Sequence, residues 1–399
     1  MKRIIFTINS FFLVCVYFCI GINPINFAQE INPTESPVET QSSKTESTES
    51  TTSTDSTESK SPTDSMSSKS STELTSSTES LQDTINKVST WLVRIDTIGG
   101  FEKVGNEFAN EGTSTGILLD KDGYVLTSAF NFLHDPTSIL LRFSNGTKKI
   151  ARRIAIDRNR MLTLLKVDGL DTKFLPPETL QIRNKNEIKI AEQITVIAVA
   201  LSPHEPNITQ GIISGKNRIW QKAIQTDAAI GPNNYGGVLV GTDGKLMAIA
   251  VPLSMTSNEL TAGSDTYDAG VGLAIPFEDV NKNIIEKLKN GKNLEPAFVG
   301  TLFKENQIFV GEPVLNAVAP KSPAEKAGLK KGDRITKIND EKIETALQYE
   351  MNIKPRYAGE KIELTYLRDG KENKITLETI PQPPPPKKKP QPKPMPMPK

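Results

Sequence analysis

Thiols are nearly absent from this chain. Its two cysteines, Cys15 and Cys19, both fall within the first 20 of 399 residues. Beyond them there is no disulfide, cysteine nucleophile or cysteine-based metal site to consider. Histidine is almost as scarce, with only His134 and His204. Two distant histidines do not make a zinc site. Aromatics amount to 6% of residues, and none occurs between positions 31 and 80. The formal net charge is +1, so no global field draws the chain to nucleic acid. These absences predict no metal, no cofactor and no nucleic-acid partner.

What is present divides the chain into five parts. Residues 1–28 open on Met1-Lys2-Arg3, continue through an apolar run over 4–22 and end in Asn26-Phe27-Ala28. That is the pattern of a secretory signal with a small residue at the cleavage site. Kept uncleaved, residues 4–22 would instead be a membrane anchor. Either way the rest is exported, to periplasm, cell envelope or exterior. Residues 29–82 read as a disordered linker. Within 41–80, 26 of 40 residues are Ser or Thr, too little apolar surface to offset chain entropy. Residues 381–399 hold ten prolines and five lysines, an extended, basic, disordered tail.

Between these lie two folded units. Over 83–294, short β-rich runs include Trp91–Ile95, Gly116–Leu119, Tyr124–Leu126, Ile139–Phe143 and Ile194–Val199. Turn signals such as Lys121-Asp122-Gly123 and Asp243-Gly244-Lys245 separate runs of this kind. Many short strands with regular turns predict an all-β barrel or sandwich. A helix is expected over Phe277–Lys289. Over 295–380 the pattern is mixed α/β, with strands near Ile308–Val310 and Ile362–Tyr366. Helices are expected after Ser322-Pro323 and over Glu344–Asn352.

Four motifs of the first unit resemble, in order and spacing, the HtrA/Deg-type, trypsin-like serine proteases. They are Leu118-Leu119-Asp120-Lys121-Asp122-Gly123-Tyr124-Val125-Leu126-Thr127, the run from Asp157 to Val167, the loop Gln225–Leu239 and Gly270-Val271-Gly272-Leu273-Ala274-Ile275-Pro276. The second unit resembles a PDZ domain through Ser322-Pro323-Ala324-Glu325-Lys326-Ala327-Gly328-Leu329-Lys330-Lys331-Gly332-Asp333-Arg334-Ile335. The resemblance implies an all-β double barrel (trypsin/chymotrypsin-like) followed by a mixed α/β PDZ domain.

It also implies where the chemistry should sit. The histidine slot falls on Phe130, the aspartate slot on Met161, the serine slot on Tyr235 and the oxyanion-hole glycine on Asn233. Acyl transfer needs a nucleophile, a base that takes its proton and a group that orients the base. Phenylalanine and methionine move no proton. An unperturbed phenol ionises only near about pH 10, and Phe130 offers it no base. Losing nucleophile or base alone from an analogous triad costs about a millionfold in turnover. His134 lies one helical turn past Phe130, a conceivable shifted base, and His204 reads as a loop residue.

The resemblance therefore implies a catalytically inactive member, a pseudoprotease. Its PDZ domain would bind unfolded polypeptides or C-terminal peptides, in a scaffold, chaperone-like or regulatory role. It would act as a homotrimer or in mixed oligomers with an active relative. Phe298, Val299, Gly300 and Thr301 stand where such domains capture a carboxylate. Leu347 and Met351, at i and i+4, either line its side-chain pocket or pack in the core. The alternative function is an active endopeptidase with non-standard catalytic residues in envelope protein quality control.

Overall fold

The computed structural model describes residues 81–99, 103–104, 107–108, 112–132, 135–170, 181–253, 270–304 and 311–383. The expected signal or anchor, residues 29–80 of the expected linker, residues 384–399 of the tail, His134 and the strand expected at Ile308–Val310 lie outside the described residues. A helix over 81–89 takes in the last two residues assigned to the linker.

Strands β1 (Leu92–Ile98), β2 (Gly112–Leu118), β3 (Tyr124–Ser128), β4 (Ser138–Phe143), β5 (Lys148–Asp157) and β6 (Leu162–Val167) close an antiparallel barrel in the order β1-β2-β3-β6-β5-β4. A second closed barrel follows: β7 (Gln193–Ala198), β8 (Asn207–Asn217), β9 (Ala223–Thr226), β10 (Val238–Gly241), β11 (Leu246–Ala250) and β12 (Gly272–Pro276). Its order is β7-β8-β9-β12-β11-β10. Closure leaves neither sheet an open edge.

Burial follows the period of two where one face meets water. In β4, Ile139, Leu141 and Phe143 point inward and alternate with half-buried neighbours. In β6 every residue but Lys166 is buried, because the helix Ile285–Lys289 covers its outer face. The single helix expected over 277–289 is two, Phe277–Asn283 and Ile285–Lys289, broken at Ile284 with φ −114°. Ile284 and Ile285 are both buried. Adjacent residues on one straight helix point about 100° apart, and the break lets both reach the core.

The C-terminal unit is a four-stranded sheet in the order Glu341–Lys342, Arg334–Ile338, Lys361–Arg368, Lys371–Glu378. Asp369 and Gly370 both have positive φ, the two-residue turn that matches strand twist in a hairpin. Helix Pro323–Lys326 starts at Ser322, whose Oγ accepts from Glu325 N at 3.2 Å. Helix Ala346–Ile353 starts at Thr345, which accepts from Gln348 N at 3.2 Å. That cap places the helix two residues later than expected, since a side-chain cap satisfies otherwise orphaned N–H groups.

The barrels meet along a backbone seam. Thr115 N donates to Tyr235 O at 3.1 Å, and Val199 N donates to Thr115 Oγ1 at 2.8 Å. Thr127 Oγ1 donates to Thr115 O at 2.6 Å. Gly236, at φ +79°, brings its Cα against that same carbonyl, and a Cβ there would fall on Thr115 O. Gly236→Ala is expected to cost about 2 kcal/mol or more, from strained backbone and forced separation of the seam. Urea unfolding of the full chain measures it, and a cost below about 0.5 kcal/mol would contradict the seam's role.

Candidate functional site

The fold brings two of the three slots into contact. Phe130 lies in a short turn, Phe130–Phe132, just past β3. Tyr235 follows a short turn, Pro232–Asn234, just before β10. Their ring centroids are 5.2 Å apart and tilted by 57°, an attractive aromatic geometry. Tyr235 is 3% exposed and belongs to the core of the second barrel with Ile230, Leu239 and Met247. Phe130 packs against that core.

Met161, in the turn between β5 and β6 of the first barrel, is fully buried in a separate core that runs from that barrel onto strands of the second. Its carbonyl accepts from Ala129 N at 2.8 Å, which ties the third slot to the residue before the first. Met161 has φ +56°, a left-handed conformation that costs a non-glycine residue about 1–3 kcal/mol. The surrounding hydrogen bonds hold it there.

The oxyanion slot is turned in on itself. Asn234 N donates to Gly231 O at 2.8 Å, and Tyr235 N approaches Pro232 O at 3.4 Å. An oxyanion hole needs donors aimed at the reacting oxygen, and here the Tyr235 N–H points into its own turn. Asn233 is exposed, whereas Asn234 is buried and its Oδ1 accepts from Gly231 N at 3.4 Å. Sequence reasoning singled out Asn233 and passed over Asn234. His204 is exposed in a loop, its backbone N bonded to Ser202 Oγ at 3.2 Å.

The loop 298–301 of the C-terminal unit has a defined polarity. Val299 O accepts from Ala324 N at 3.0 Å and Gly300 O from Ala319 N at 2.7 Å. A trans peptide points its N–H opposite to its C=O, so the N–H groups of Gly300 and Thr301 are directed to the other side. Thr301 Oγ1 donates to the hydroxyl of buried Tyr349 at 2.8 Å, on helix Ala346–Ile353. Phe303 meets Tyr349 edge-on at 4.9 Å. A hollow of about 560 Å3 opens here, lined by Phe303, Lys304, Leu315, Lys331 and Ala346.

Gly300, at φ +92°, could not carry a Cβ, because one would fall on the Ser322 side chain. Its bareness is demanded by the domain's own packing, a reason separate from ligand approach. Phe298 and Leu347 are half-buried. Met351 lines a different hollow, of about 660 Å3, with Arg160, Gln221, Pro355 and Tyr357.

That second hollow borders a buried polar cluster unforeseen in the sequence. Asp157, 0% exposed, ends β5. Its Oδ1 accepts the N–H groups of Asn159 at 2.9 Å and Arg160 at 3.1 Å, and its Oδ2 accepts from Tyr357 OH at 2.5 Å. Arg160 in turn donates to that hydroxyl at 2.5 Å. Lys222 Nζ donates to Asn159 O and Oδ1, both at 2.9 Å. One carboxylate thus faces two cations. Burial, and then the charge of Arg160, push the Lys222 ammonium down to about 8. Burial pushes the Asp157 carboxyl up, against the pull of Arg160 and its hydrogen bonds. Asp157 lies within the motif read for its aspartate slot, but Tyr357 is 200 residues away and carried no local signal.

Residues 114–249 match the family of trypsin-like peptidase domains, and residues 275–379 match PDZ domains. A trypsin-like peptidase domain followed by a PDZ domain is the layout of the HtrA-type proteins to which this chain is similar. The probable periplasmic serine endoprotease DegP-like of Ectopseudomonas mendocina is 28% identical over 294 residues, 70% of this chain and 59% of that protein. The serine protease Do-like HtrA of Lactococcus lactis subsp. lactis is 29% identical over 300 residues, 67% of this chain and 70% of that protein. The chain thus spans under two thirds of the length of the DegP-like relatives, 59% and 57% of the first two. Among solved structures, the HtrA-type protease AlgW with decapeptide aligns at TM-score 0.58 and 22% identity, over 76% of this chain and 99% of that one. That likeness bears on the fold.

Tyr235, the position expected to match the family's serine, is a core position. Tyr235→Ala is expected to destabilise the chain by about 3–5 kcal/mol, the range for emptying a buried aromatic site. Exposed Asn233→Ala is expected to stay within about 0.5 kcal/mol. Equal, small effects in urea unfolding would show that the Tyr235 ring is not part of the core.

Proposed function

We propose that this chain is an exported HtrA-type pseudoprotease that binds polypeptide C-termini through its PDZ domain and performs no hydrolysis itself. The observation that carries the reading is the contact between Phe130 and Tyr235, with Met161 buried in the opposite core. Where the chemistry requires a proton to pass from nucleophile to base, two rings pack instead. The inward-turned N–H of Tyr235 supports the same reading, because an unaimed donor cannot stabilise a developing oxyanion. Export is supported by the basic-then-apolar pattern of residues 1–28 and by relatives named as periplasmic endoproteases.

Binding is supported by the loop 298–301. With the carbonyls of Val299 and Gly300 held inside, the N–H groups of Gly300 and Thr301 face the other side, which supports their holding a carboxylate in the mode by which PDZ domains capture a C-terminus. The adjacent hollow between Phe303 and Ala346 would take an apolar side chain. AlgW, a relative of the same fold, is known in complex with a decapeptide.

Pure full-length protein is expected to leave casein intact and to take no label from fluorophosphonate probes. Cleavage abolished by Tyr235→Phe or by His134→Ala would instead establish an endopeptidase with non-standard catalytic residues. Peptides with a free, apolar C-terminus are expected to bind the full chain at least roughly tenfold tighter than their amides, since a charged hydrogen bond contributes about 1.5–3 kcal/mol. Isothermal titration with acid and amide forms decides, and equal affinities would rule out carboxylate capture.

A further inference from the structure

The turn between β5 and β6 leads into the third slot, but its side chains bond the PDZ domain. Helix Ala346–Ile353 ends at Lys354, and the carbonyls at a helix C-terminus lack helical partners of their own. Here the barrel serves carbonyls at and just past that end. Asn159 Nδ2 donates to Lys354 O at 3.0 Å and to Arg356 O at 3.1 Å. Arg160 Nη2 donates to Pro355 O at 3.1 Å. Helices commonly end on a local left-handed turn that does this work, whereas Lys354 keeps right-handed angles, φ −58° and ψ −32°.

The contact extends beyond the cap. Arg158 N donates to Leu294 O at 2.9 Å, and Leu294 N donates to Ile156 O at 2.8 Å. Arg158 pairs with Glu295 at 3.0 Å. The ring of Tyr357 lies 4.9 Å from the Arg160 guanidinium and 4.9 Å from the Lys287 ammonium. The same helix that is capped from the barrel carries Tyr349 against Thr301 and contributes Ala346 to the hollow beside Phe303.

We propose that the turn Asp157–Arg160 is a latch that docks the PDZ domain on the first barrel by capping helix Ala346–Ile353, and that through this helix the barrel sets the shape of the peptide groove. The effect on the groove rests on the peptide-binding reading above; the docking does not. A turn that would otherwise orient a catalytic histidine here holds a domain.

The test uses the full chain, with Asn159→Ala, which removes the two bonds from its Nδ2 to the Lys354 and Arg356 carbonyls together with the Lys222–Oδ1 bond and spares the Asp157–Tyr357 contact, and with Tyr357→Phe. Hydrogen exchange over residues 346–358 is expected to accelerate by at least about tenfold in both variants, the effect of losing one or two hydrogen bonds. Exchange in β10 and β11 is expected to stay unchanged. No acceleration over 346–358 in either variant overturns the latch. If Tyr357→Phe speeds exchange throughout both barrels it has unfolded the chain, and Asn159→Ala alone decides. Titration with an apolar peptide acid supplies the second readout, with affinity expected to fall at least about threefold in Asn159→Ala. Faster exchange with unchanged affinity overturns the link to the groove. A wild-type chain that binds no such peptide overturns the peptide reading and with it that link, and exchange then judges the docking.

Discussion

The carbonyl of Thr115 is the joint on which this molecule turns. It accepts from Thr127 Oγ1 and lies against the bare Cα of Gly236, while Thr115 N bonds Tyr235 O. These contacts fix the loop before β10 to the first barrel. That loop is therefore a structural element first. Its Gly-Gly pair is required by packing whether or not a nucleophile precedes it, because any side chain at 236 would drive the barrels apart. This explains how a chain can keep the frame of a peptidase loop while carrying a tyrosine where the serine would stand.

Replacing a reactive group changes what its surroundings must supply. A serine, histidine and aspartate need a wet, polar cleft. Phe130, Tyr235 and Met161 are accommodated in the two cores that flank it. Full burial of such side chains contributes about 1.5–3 kcal/mol each, so Tyr235 and Met161 both stabilise the fold. A polar cluster starts four residues before Met161. Asp157 is buried with Arg160 and Lys222, and the hydroxyl of Tyr357 closes the group from the PDZ domain. Leaving a buried polar group without its partner costs about 1–3 kcal/mol, so these bonds hold the two domains together.

Local pattern made much of the architecture legible. Alternation in Ile139–Phe143, the turns at Lys121-Asp122-Gly123 and Asp243-Gly244-Lys245, and the spacing of four motifs pointed to strands closing into barrels. The Ser322-Pro323 start pointed to a capped helix. Boundaries were less legible where tertiary contacts decide them. Ile284 breaks a helix that periodicity alone would continue, because two adjacent isoleucines both needed burial. Gly300 was legible only as part of the expected carboxylate loop, and the reason it must be bare, the Ser322 side chain that occupies the space, is tertiary.

By itself the sequence set the expectation that the family's triad positions fall on Phe130, Met161 and Tyr235. Residue type carries that expectation to inactivity, because phenylalanine and methionine have no group able to accept or orient a proton. Its periodicity reached as far as an all-β barrel or sandwich followed by a mixed α/β unit, and the resemblance of its motifs to HtrA/Deg-type proteases and PDZ domains implied the double barrel with a following PDZ domain. Only the tertiary structure decided that Tyr235 and Phe130 touch while Met161 joins the other core, and that the N–H of Tyr235 points inward. Only it brought Asp157 to Tyr357 across 200 residues of chain. A hydrogen bond depends on separation in space and on angle, and neither is a function of sequence distance once a chain has closed on itself.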